Sequence, residues 1–135
     1  MPPVLLSVSP IYISLLALLI IVLAYRVTTF RRGEGISLGE DNGSKAMKSA
    51  IRAHGNAVEN IPIAALLLLT LELISVNPIL IHIFGIVLVA SRVAHAWGLS
   101  KKNGPTVGRF YGTLFTWLCI LVMLILNIVV LLTRT

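Results

Sequence analysis

Seven polar residues stand in apolar surroundings at spacings that can do chemistry. Arg52, Asn56 and Glu59 are separated by four and then three positions, Arg92 and His95 by three, and Arg109 and Tyr111 by two. On a helix turning about 100° per residue, the first three fall within roughly 60° of one another, and Arg92 and His95 also share a face. Ile63 and Leu66 continue the Arg52 face. Arg109 and Tyr111 point about 200° apart, so they cannot both enter one pocket of one subunit. Charges inside membrane helices are costly, face the bundle interior and need a partner or a role.

The elements that position these residues follow from composition. The chain has 135 residues, is 57% hydrophobic and 12% charged, where soluble domains carry roughly 25% charged residues. Its mean hydropathy is +0.96. A single domain, 1–135, of four transmembrane helices is expected, with spans at about 10–31, 45–74, 78–99 and 106–132. Ser9 and Pro10 read as a cap and first-turn pair. Asn77-Pro78 and Asn103-Gly104-Pro105 read as turns, and the glycine-rich stretch 33–44 as the one extended loop. Ten of the eleven basic residues lie between Arg26 and Arg52 or between Arg92 and Arg109. That bias predicts that the first and third connections face the cytoplasm, with both termini outside. The first apolar run reads as a retained helix, not a cleaved signal. The net charge of +6 is assigned to membrane lipids, with Lys101-Lys102 as a headgroup contact, and not to nucleic acid.

The polar layer carries a charge argument. Arg52, Arg92 and Arg109 face one acid, Glu59, and such an excess favours an anionic ligand. Guanidinium pairs with carboxylates through two bonds and burial does not discharge it. Glu59 can take an ammonium. A ligand with two carboxylates and one ammonium complements the set; glutathione has that pattern, as do other peptides and amino acids. The competing reading makes Arg52–Glu59 and Arg92 ion pairs that join helices, at about 0.6 kcal/mol for an average polar contact. Outside this layer, Glu72 and His82 are expected to pair across the second turn, or Glu72 to be protonated. Asn127 is expected to join helices, Trp97 and Tyr25 to anchor at the interface, Trp117 to pack, and Cys119 to be buried. His54 is expected to face another helix or headgroups. His54, His82 and His95 lack metal-ligand spacing, and the glycines of 33–43 lack the lysine and helix of a phosphate loop.

The segment Arg52-Ala53-His54-Gly55-Asn56-Ala57-Val58-Glu59-Asn60-Ile61-Pro62 resembles the signature of the MAPEG family, the membrane-associated proteins in eicosanoid and glutathione metabolism. Ser37-Leu38-Gly39, Arg92-Val93-Ala94-His95 and Gly104-Pro105 fit the same family, especially its bacterial members. The resemblance implies a homotrimer of four-helix subunits that binds glutathione between neighbouring subunits at the cytoplasmic side. It implies Arg52, Asn56, Glu59, Arg92 and His95 as glutathione-binding residues, and Tyr111 as the match to a fourth-helix tyrosine of the prostaglandin-synthase branch. There are departures. Gly55 stands where that branch has an arginine and Leu99 where it has a ligand-binding tyrosine. Arg109 lies two residues later, relative to Pro105, than the arginine thought to activate the thiol.

The resulting expectation is a bacterial inner-membrane, glutathione-dependent transferase or peroxidase acting on lipophilic electrophiles or lipid hydroperoxides. Glutathione serves as cosubstrate. A nearby cation favours the reactive thiolate, which makes Arg109 the first catalytic candidate and Tyr111 a hydrogen-bond donor to the thiolate. The alternative is a non-catalytic trimer that binds lipids or glutathione, as some relatives do. A small multidrug transporter is disfavoured, because such proteins carry a glutamate on the first helix and this first helix, expected at about 10–31, has no acid at all.

Overall fold

The computed structural model describes residues 6–100 and 106–133. They form four α-helices: α1 (Ser9–Glu34), α2 (Lys45–Leu73), α3 (Pro78–Ser100) and α4 (Val107–Thr133). Each is long and apolar enough to cross a membrane. The expected turn at 103–105, the Lys101-Lys102 pair and Arg134 lie outside the described residues. α2 and α3 each touch the other three helices, whereas α1 and α4 flank them on opposite sides without meeting. The core between them is built from Leu16, Leu68, Leu71, Ile81, Leu88 and Met123. Cys119 is buried among them.

α1 runs three residues past its expected end. Gly35 stops it, at φ +68°, where its N–H and that of Ile36 close onto the last carbonyls, Arg32 and Arg31. The start of α1 departs from expectation in a second way. Ser9 is not the cap: the N-cap position is Val8, which makes no side-chain bond. The cap comes from another helix. Glu72 accepts the N–H groups of Ser7, Val8 and Ser9 at 2.8, 2.8 and 2.7 Å, and the Ser9 hydroxyl as well. Glu72 therefore does not pair with His82. Unpaired N–H donors and the positive end of the helix dipole draw a carboxylate more strongly than a neutral imidazole. His82 Nδ1 instead meets the Tyr12 hydroxyl at 2.7 Å.

α3 and α4 make the most extensive pairing, and they approach through small residues. A Cβ on Gly112 would sit 2.6 Å from the Ser91 carbonyl and 2.7 Å from His95, and one on Gly108 2.8 Å from the Ala94 carbonyl. In lipid, close backbone approach of this kind supplies the packing that holds helices together. Ser91 and Thr116 add a hydroxyl pair at 2.9 Å, and Asn127 donates to the Leu67 carbonyl at 3.2 Å, joining α4 to α2.

Candidate functional site

The geometry starts with α2. Arg52, Asn56 and Glu59 lie one above another along its face, as their spacing requires. At the same level α3 presents His95 and Leu99. Gly108 and Gly112 bring the first turns of α4 close enough that Arg109, between them, faces the same space. These three helices and the loop before α2 enclose a cavity of about 310 Å³ lined by Glu40, Ile51, Arg52, Gly55, Asn56, Glu59, His95, Leu99 and Arg109. Five of the seven residues singled out by spacing thus share one cavity wall.

The other two lie elsewhere. Arg92, 3% exposed, sits behind Asn56. Its Nη1 donates to Asn56 Oδ1 at 2.8 Å, while Nε and Nη2 are buried without a partner. Arg92 is held by an amide and not by Glu59, so the ion pair considered for it does not form. The contact belongs to a chain. Asn60 Nδ2 donates to the Asn56 carbonyl at 2.8 Å, and Trp117 Nε1 donates to Asn60 Oδ1 at 3.1 Å. α2, α3 and α4 are joined by this one network behind the cavity. Trp117 is therefore not a packing residue: it is 61% exposed and acts through its indole N–H. Tyr111 is on the far side of α4, 49% exposed, with its ring against Phe110 and Phe115.

Glu40 changes the charge balance. With Arg92 withdrawn and Glu40 present, the cavity wall carries two arginines and two carboxylates, not three cations against one acid. No periodicity marks Glu40; its only sequence signal is an acid in the loop leading into α2.

A second, more apolar groove of about 420 Å³ runs along the outside of α4, lined by Thr106, Arg109, Phe110, Thr113, Leu114 and Trp117. Arg109 borders both spaces. One side can take a charged ligand and the other an apolar one, with a single guanidinium between them.

Residues 9–129 match the sequence pattern of the MAPEG family. The chain belongs to the MAPEG family. It is 38% identical over 121 residues to the inner membrane protein YecN of Escherichia coli K12, a match covering 90% of each chain. It has the same identity and coverage with the YecN of Escherichia coli O6:H1. As a MAPEG protein it is an integral membrane protein of four candidate spans, and its cavity is lined on α2 by Ile51, Arg52, Gly55, Asn56 and Glu59.

Proposed function

We propose that this protein binds glutathione in the α2–α3–α4 cavity and delivers its thiolate to lipophilic electrophiles or lipid hydroperoxides. The observation that carries the reading is the position of Arg109 between the polar cavity and the apolar α4 groove. Arg52 holds a carboxylate of the peptide and Glu59 its ammonium. Arg92, buried behind the cavity wall, positions Asn56. His95 hydrogen-bonds the peptide, and Arg109 stabilises the thiolate. Tyr111, facing away from this cavity, serves the site of a neighbouring subunit. In transfer, sulfur forms a bond to the electrophilic carbon and the leaving group departs with its electron pair. In peroxide reduction, two glutathiones become the disulfide while the hydroperoxide becomes alcohol and water.

The reading includes a homotrimer in a bacterial inner membrane, with the site at the cytoplasmic end. Support comes from α2, where Arg52, Asn56, Glu59, Ile63, Leu66, Thr70 and Leu73 follow one another at alternating spacings of four and three. That is the repeat of a helix seam, and Ile63, Leu66 and Leu73 along it are exposed in the single chain. A second copy laid on this seam would also cover the open side of the cavity. That the YecN relatives are inner membrane proteins supports the membrane assignment.

The test is a glutathione titration of the purified protein with a chlorinated aromatic electrophile and with a lipid hydroperoxide. Turnover that saturates with glutathione is expected, and Arg109→Ala is expected to lower it about 100-fold. Equal rates in the two proteins end the enzymatic claim. One observation favours a second reading, a non-catalytic membrane trimer that binds glutathione or lipid. The cavity wall at Gly55 and Leu99 offers no side-chain donor, and a Cβ on Gly55 would meet nothing within 4 Å. Glutathione binding without turnover identifies that case.

A further inference from the structure

The structure assigns Glu40 a recognition role: we propose that it reads the ammonium group of a zwitterionic ligand and excludes ligands that carry only carboxylates. This rests on the glutathione reading above and narrows it.

Glu40 belongs to the connection between α1 and α2, and that connection is tied down on both sides of it. Arg31 Nη1 donates to the Gly39 carbonyl at 2.9 Å and Lys48 Nζ to the Asp41 carbonyl at 3.0 Å. The Glu40 carbonyl accepts the Gly43 N–H at 2.9 Å. Ser44, the N-cap of α2, gives its N–H and hydroxyl to Glu34. Gly39, at φ +75°, takes the left-handed turn that a side chain would oppose. The result is directional. Gly39, Asp41 and Asn42 are exposed while Glu40 is half-buried and lines the cavity with Arg52, Glu59 and Arg109.

A loop acid held over a site with two arginines has an electrostatic consequence. A purely anionic ligand gains from Arg52 and Arg109 but meets two carboxylates. A ligand with carboxylates and an ammonium satisfies both signs. Like-charge juxtaposition is a recognised means of rejecting wrong ligands. Glu40 sets this preference together with Glu59, from the mouth of the cavity where Glu59 acts from the helix.

The experiment compares glutathione with glutaryl-cysteinyl-glycine, which is glutathione without its amino group. Affinities for both are measured calorimetrically with the wild-type protein, Glu40→Gln and Asp41→Asn. The wild type is expected to prefer glutathione. In Glu40→Gln the preference falls about tenfold, the size of one charged hydrogen bond, while the analogue binds as well as before or better. Asp41→Asn, at the exposed neighbour, keeps the wild-type ratio. An unchanged ratio in Glu40→Gln, an equal weakening of both ligands, or the same change in Asp41→Asn overturns the role of Glu40 alone. Failure of the wild type to bind either ligand overturns the glutathione reading and this inference with it.

Discussion

The two ends of this bundle handle polar groups in opposite ways. Where α1 begins and α2 finishes, no buried side-chain polar atom among the described residues lacks a partner: Glu72 takes four hydrogen bonds from residues 7–9, and Tyr12 meets His82. Where α2 and α4 begin, Arg92 is buried with two donors unsatisfied and a cavity opens among two arginines and two carboxylates. Low-dielectric surroundings penalise an unmatched polar group heavily. A complete network is the pattern of an architectural joint; on the reading proposed above, the incomplete one lies beside the ligand cavity. The polar residues look alike at both ends, and their state of satisfaction separates them.

The largest effect that sharpens this contrast is catalytic. Arg109→Ala is expected to lower kcat/KM about 100-fold or more with thermal unfolding unchanged, because Arg109 is exposed at the cavity and supports no joint. Glu72→Ala is expected to do the reverse. It strips acceptors from three backbone donors and one hydroxyl, and unsatisfied groups cost about 1–3 kcal/mol each. Some of those donors will find water at the helix end, so a net loss of about 3 kcal/mol is expected, read as a lower unfolding midpoint in detergent with glutathione affinity unchanged. Loss of affinity in Glu72→Ala with full stability would break the division between the ends.

What could be read in the residues alone follows the range of the interactions. The four helices rest on local hydropathy and emerge within a few residues of their true ends; α1 outlasts its apolar run because only Gly35 halts it. The meeting of Arg52, Asn56, Glu59 and His95 follows from helical periodicity and antiparallel neighbours. The cap from Glu72 was hidden, because its donors lie more than sixty positions away and nothing local distinguishes a capping glutamate from a protonated one. Glu40 was hidden for a related reason. A loop acid has no face, and the bonds that tie the loop down, among them those from Arg31 and Lys48, leave it lining the cavity. The Arg92–His95 spacing indicates a shared side of α3 but not depth, so the placement of Arg92 behind Asn56 does not follow from it.

Glycine contacts extend the contrast to packing. In Gly112→Ala the new methyl meets the Ser91 carbonyl and the backbone of His95, which have no room to yield. α4 must move, at about 1–3 kcal/mol, and Arg109 moves with it. Turnover should therefore fall further than glutathione affinity. In Gly85→Ala the obstacle is the Tyr12 ring, a side chain at the other end. Stability should fall there with kinetics unaltered in the surviving protein. A kinetic defect in Gly85→Ala equal to that in Gly112→Ala would show that α3 transmits strain along its whole length.

The smallest expected effect is the most sensitive test of independence. Tyr12→Phe keeps the ring over Gly85 and removes only the hydroxyl that meets His82. Polar contacts between membrane helices average about 0.6 kcal/mol, so the unfolding midpoint should drop slightly and His82 should become reactive to an imidazole-modifying reagent. Glutathione affinity and turnover should match the wild type, since neither residue reaches the cavity. If affinity instead changes severalfold, the completed network at one end and the incomplete one at the other belong to a single coupled system, and burial of Arg92 must then be read as part of the architecture and not as the mark of a ligand site.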